Sequence, residues 1–175
     1  AEEITTMAIV DPSEPKYRKR VSFQDFETGK GSQASQESVV MFANAEIHHE
    51  FELPESGKYI ATIRAFGDQG GSEPTKMEVA FGGRRVGKKS VRSEKDQPGD
   101  FEFELRGKAG ENRLEISFIN DEYVKDKFDR NLHVVSLVIE GPIGKLPESH
   151  RKLISKPVPK GKPEQTALAR TLLNR

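Results

Sequence analysis

Ile47, His49, Phe51 and Leu53 alternate with His48, Glu50 and Glu52, and the same two-residue period returns along most of the chain. Met77, Val79 and Phe81 repeat it, as do Phe101, Phe103 and Leu105, and again Leu114, Ile116 and Phe118. Only an extended strand puts every second side chain on one face, so each run reads as a strand with one buried side. Val39 and Met41, with Phe42, form a further short apolar strand; residues 59–65 and 132–139 are β-rich. Turn residues separate the runs: Pro54-Glu55-Ser56-Gly57, Gly82-Gly83, Gly107-Lys108-Ala109-Gly110 and the closing Gly141-Pro142. Seven or eight such strands leave no room for the crossover helices of a parallel sheet. The expected fold is all-β, an antiparallel β-sandwich (jelly-roll-like) over residues 21–143.

The flanks differ in character. Residues 1–20 hold a short amphipathic stretch, 2–10, ended by Asp11-Pro12 and Pro15, and read as a lead-in segment. Residues 144–175 begin as a lysine-rich linker broken by Pro147, Pro157 and Pro159. Behind Pro163 comes a short run with Ala167, Leu168 and Leu172, expected to be the start of a following helical domain. Charge follows the same division. The whole chain is neutral, but residues 21–144 carry sixteen basic and twenty-two acidic residues, and residues 145–175 eight basic and two acidic. An acidic body argues against nucleic acid and suits a metal cation. No run is long and apolar enough for a membrane span, and no signal peptide opens the chain, as expected of a cytoplasmic protein or a piece of a processed one. With no Cys, thiolate chemistry, disulfides and zinc ribbons are excluded within these residues.

Acidic residues concentrate between two strands. After Phe118 the chain reads Asn120-Asp121-Glu122-Tyr123, and after Asp126 it reads Phe128-Asp129-Arg130-Asn131-Leu132. Asn120-Asp121 closes one strand and Asp129-Arg130-Asn131 opens the next. An antiparallel pairing of these strands would set the two ends side by side and let their carboxylates converge. Carboxylate and carbonyl oxygens suit Ca2+, which takes six to eight of them in irregular geometry. The spacing is not that of an EF-hand. Composition alone leaves two readings open, a solvated charged hairpin loop and a cation site.

The order Gly57-Lys58-Tyr59, Arg64-Ala65, Gly67, Phe81-Gly82-Gly83, Phe118-Ile119-Asn120-Asp121 and Asp129-Arg130-Asn131-Leu132-His133-Val134 resembles the calcium-dependent, xylan-binding type of carbohydrate-binding module. That resemblance implies a calcium ion at one edge of the sandwich, completed by two adjacent hydroxyls of a polysaccharide or oligosaccharide. It carries over to Asp121 and Asp129 as side-chain ligands, to the carbonyl of Phe128 or Arg130 as a backbone ligand, to Asn131 as a residue orienting the loop by hydrogen bonding, and to Asn120 and Asn131 as sugar-binding residues. Arg130 is expected near the sugar, and Tyr123 is the candidate platform for a pyranose ring. The sequence is most similar to copies embedded in large bacterial proteins that also carry c-type cytochrome domains. There Leu146-Pro147-Glu148-Ser149-His150-Arg151 has its counterpart, which implies an exported protein with neighbouring domains.

Trp is absent and only three Tyr occur, which favours a rival: a structural or protein-docking sandwich whose calcium is purely stabilising or absent. His48 and His49 are neighbours on a strand, point to opposite faces and read as structural. His133 reads as packed or surface-exposed, with a place facing the site as the alternative. Glu27 and Glu37 are candidates for a second, structural calcium. The segment 67–74 reads as a flexible connection that could overhang a ligand. No nucleophile elbow, phosphate loop or outstanding carboxylate pair for hydrolysis occurs, so no enzyme activity is expected.

Overall fold

Alternation becomes architecture in twelve strands, all paired antiparallel, in the computed structural model, which describes residues 17–143. One sheet has the order β3 (Ser32–Ala34), β4 (Val39–Met41), β12 (Phe128–Gly141), β6 (Gly57–Asp68) and β9 (Gly99–Gly107). The strands β1 (Tyr17–Ser22) and β11 (Glu122–Val124) also pair with β12. The second sheet has the order β2 (Glu27–Thr28), β5 (Ala45–Leu53), β10 (Gly110–Phe118), β7 (Thr75–Phe81) and β8 (Arg84–Val91). The expected antiparallel sandwich is what forms. The proposed linker and helix at 144–175, and the lead-in up to residue 16, lie outside the described residues.

Period-two faces meet between the sheets. Met77, Val79, Ile47, Leu114 and Ile116 from one sheet and Tyr59, Ile63, Leu105, Leu132 and Leu137 from the other are fully buried in one cluster. Burying each such side chain contributes roughly 1.5–3 kcal/mol. Gly82 and Gly83, at φ +56° and +71°, make the two-residue turn between β7 and β8. Both central residues of that turn need positive φ, where glycine alone is unstrained.

The structure differs from the sequence reading at two points. Residues 17–20 belong to β1, paired with the end of β12 from Tyr17↔Gly141 onward, so the first strand begins before Val21. Its charged residues hid it. Arg18 lies outside and pairs with Glu140 at 3.0 Å, while Tyr17 meets the Tyr59 ring edge-on. More consequentially, the strands flanking the acidic loop are not neighbours. β10 lies between β5 and β7, and β12 lies in the other sheet. The chain crosses between sheets after Phe118, and the short β11, too short to show a period, turns back on β12.

Candidate functional site

Glu122 stands opposite Arg130, Tyr123 opposite Asp129, and Val124 opposite Phe128 in the β11–β12 hairpin. Asp126, at φ +60°, turns the chain, and the Lys127 N–H donates to the Val124 carbonyl at 3.0 Å. Opposed residues share a face and successive ones alternate. The hairpin therefore has one side carrying Glu122, Phe128 and Arg130 and another carrying Tyr123, Asp129 and Asn131.

On the first side Arg130 is buried at 2% exposure. Its guanidinium donates to the Asn120 carbonyl at 2.8 Å, to Glu122 Oε2 at 2.8 Å and, from Nε, to the Gly70 carbonyl at 3.1 Å; Nη2 donates to Gly70 as well. Arg is suited to this, with five donors in a rigid fork. The segment after β6 closes over the hairpin only because it is glycine. A Cβ on Gly70 would stand 2.3 Å from the Phe128 ring, and Gly71 sits at φ +72°. Asn120 is spent on the same clamp: Oδ1 accepts the Lys76 N–H at 2.7 Å and Nδ2 donates to the Pro74 carbonyl at 2.9 Å. Segment 67–74 is thus bound to the hairpin. The side chains of Arg130 and Asn120, expected to bind a ligand, are instead engaged within the fold.

On the second side the hydrogen bonding is incomplete. The Asp121 carboxyl is pushed up from the ordinary range, first by partial burial and then by the charge of Asp129, with Arg130 opposing both. The residue as a whole remains exposed. The Asp121 N–H donates to Asn44 Oδ1 at 2.9 Å. Asn131 Nδ2 donates to Asp68 Oδ2 at 3.1 Å, while its Oδ1 is buried with no hydrogen-bond partner. Tyr123 is 65% exposed. His133 meets the same Asp68 at 3.0 Å through Nε2 and Ser38 Oγ at 3.1 Å through Nδ1, and it stacks on Phe66 at 4.3 Å.

These groups fit a hard cation. Two like charges that oppose each other and an amide oxygen without a donor are both relieved by Ca2+. Among the described residues no three His, Asp or Glu side chains converge as a metal cage. Further coordination has to come from amide and backbone oxygens, such as Asn131 Oδ1 and the carbonyl of Phe128 or Arg130, and from a ligand. Glu27 and Glu37 are not brought to any common centre: Glu27 pairs with His48 at 3.1 Å and Glu37 with Lys95 at 3.4 Å. His49 bonds the Asp25 carbonyl at 2.8 Å, so both neighbouring histidines are engaged locally. Asn44 and Asp68 were absent from the sequence reading. Each reaches the site from a distant strand end, and only the β6–β12 pairing Asp68↔Asn131 announces the second.

Comparison with known proteins points the same way. The fold matches a CBM36 domain of a multidomain xylanase from the hindgut metagenome of Trinervitermes trinervoides, with a TM-score of 0.54 at 14% identity over 71% of this chain and 98% of that one. It matches the C-terminal CBM6 of a marine laminarinase from Zobellia galactanivorans with a TM-score of 0.55 at 12% identity, over 71% and 100%. A family 35 carbohydrate-binding module from Clostridium thermocellum gives 0.53 at 8%, over 70% and 98%. Such low identities speak for the fold alone. Among curated proteins none matches the chain. The sequence profile described as a calcium-dependent, xylan-binding carbohydrate-binding module matches residues 61–151, just over half of the chain, and spans Asp68, Asp121, Asp129 and Asn131. The chain therefore belongs to that family of carbohydrate-binding modules, CBM60.

Proposed function

We propose that this chain is a non-catalytic module that binds polysaccharide through a calcium ion held by Asp121 and Asp129. The observation that carries the reading is the buried, unpartnered Oδ1 of Asn131 on the face of β12 that also carries Asp129. Asn131 Oδ1 and the carbonyl of Phe128 or Arg130 would add oxygen ligands. Calcium supplies a cation whose open positions accept two adjacent sugar hydroxyls. Arg130 holds the hairpin against Gly70. Asn44 fixes the backbone at Asp121, and Tyr123 offers its exposed ring to a sugar face. A xylan-like chain is the first ligand to test, from the family's description.

Ser38, His133 and Asp68 form a hydrogen-bonded row with the outline of a hydrolase triad, but Ser38 is 2% exposed and its hydroxyl cannot meet a substrate. That observation supports binding over catalysis. The sequence at 146–151, a segment outside the described residues, further supports placing the module in a larger exported protein with neighbouring domains, of the kind that carries c-type cytochromes.

The absence of Trp favours a second reading, a docking or structural sandwich. A glycan array probed in calcium and again in chelator separates the two. Binding to xylan in calcium alone, lost in Asp129→Ala, is expected. Glycan binding indifferent to chelator, or none at all, rules the proposal out.

A further inference from the structure

Three large apolar side chains are exposed among the described residues: Tyr123, Phe42 at 46% and Ile143 at 40%. A scattered exposed apolar residue is ordinary and needs no account. Phe42 differs because of where the chain holds it. The strand β4 pairs with β12 up to Met41↔Leu132, and β11 pairs with β12 from Glu122↔Arg130. Both strands therefore stop one residue short of Asn131 along β12, and Phe42 and Asp121 are the residues next to those two strand ends. Val39 and Met41 are buried, so alternation turns Phe42 outward, to the same side as Asn131 and His133.

The short segment bearing Phe42 is pinned at both ends. The Phe42 N–H donates to the Gly31 carbonyl at 3.0 Å, and Asn44 Oδ1 accepts the Asp121 N–H at 2.9 Å. Its ring is not among the residues packed against the core. An apolar ring is thus exposed on a pinned segment at the strand end nearest Asn131, whose amide oxygen has no partner.

We infer that Phe42 is a second sugar platform, on the far side of the carboxylates from Tyr123's end of the hairpin, and that the occupant is a pyranose whose C–H face packs on the ring. This rests on the calcium-and-sugar reading above and adds a specificity-determining residue to it. Phenylalanine offers no hydrogen bond, so it selects a sugar unit with one flat apolar face rather than a particular hydroxyl.

The test uses the 175-residue chain and xylohexaose, with Phe42→Ala and Phe42→Trp. Titration in calcium is expected to show association weakened roughly tenfold in Phe42→Ala. The calcium-induced rise in Tm should be the same as in the parent, which separates a lost platform from a lost metal site. Because the chain has no other Trp, Phe42→Trp places a single reporter at the site. Its emission should move to the blue when xylohexaose is added in calcium and return in chelator. Parent-like affinity in Phe42→Ala, or a silent Trp while binding heat is measured, overturns the platform and leaves the calcium-sugar reading standing. A parent chain that gives no binding heat in calcium overturns both.

Discussion

The two sides of one hairpin obey opposite rules. On the side of Arg130 every strong donor has an acceptor: Asn120, Glu122 and Gly70 take up the guanidinium, and Asn120 is itself satisfied at both ends of its amide. On the side of Asp129 a carboxylate pair repels, one amide oxygen has no partner, and an aromatic ring faces water. Asn120 and Asn131 make the contrast within one residue type. A structural asparagine completes its hydrogen bonds within the fold, and Asn131 leaves one open. Buried polar groups are nearly always paired, so the open oxygen of Asn131 is the exception on which the proposed site rests. The satisfied side carries the stability that lets the other remain unsatisfied.

Arg130→Met strikes the satisfied side. It strips a charged donor from two backbone carbonyls, and urea unfolding should show a loss of roughly 3 kcal/mol, with calcium unable to restore it. Gly70→Ala should destabilise by about 1–3 kcal/mol through overpacking against Phe128, measured the same way. If either variant instead kept its stability and lost only ligand binding, the division between the two sides would be wrong.

Asp129→Asn acts on the other side. Without calcium its stability should equal or slightly exceed that of the parent, because a repulsion is removed. Its Tm should no longer rise with calcium, a difference readable by thermal melts with and without chelator. The pH dependence follows from Asp121. Its carboxyl holds a proton more tightly folded than unfolded, so this group favours the fold at acid pH, and that contribution disappears as pH rises through the raised pKa. Melts in chelator across the carboxylate range should therefore fall less steeply with pH in Asp121→Asn than in the parent. Calcium affinity should weaken as pH drops through the same range, since protons compete for the ligand. Tyr123→Ala is the mildest change. Its exposed ring predicts stability within about 0.5 kcal/mol of the parent, and a few-fold loss of xylohexaose affinity by calorimetry.

Much of this was legible in the residues. Alternation in β5, β7, β9 and β10 required strands, and the Gly82-Gly83 pair marked its hairpin. The Asn-Asp and Asp-Arg-Asn segments drew attention to the region where the open groups now stand. The roles within them were less legible. Arg130 and Asn120 read as ligand-facing, yet both turn inward, because the side a residue takes depends on which strand its neighbour pairs with. That pairing was misread: β12 takes β11, not β10, as its partner at this end. Strands of two or three residues, β2, β3 and β11, are too short to show any period.

The sequence by itself determined an antiparallel sandwich and marked an acidic loop as its candidate site, because side-chain period and oxygen-rich composition are local properties. Which acids meet, that Gly70 must lie bare against Phe128, and that Phe42, Asn44 and Asp68 arrive from strand ends 52 or more residues away from Asn120 in the chain's crossing pattern were decided only by tertiary structure. Contacts across such separations depend on sheet order and register, which no local pattern encodes.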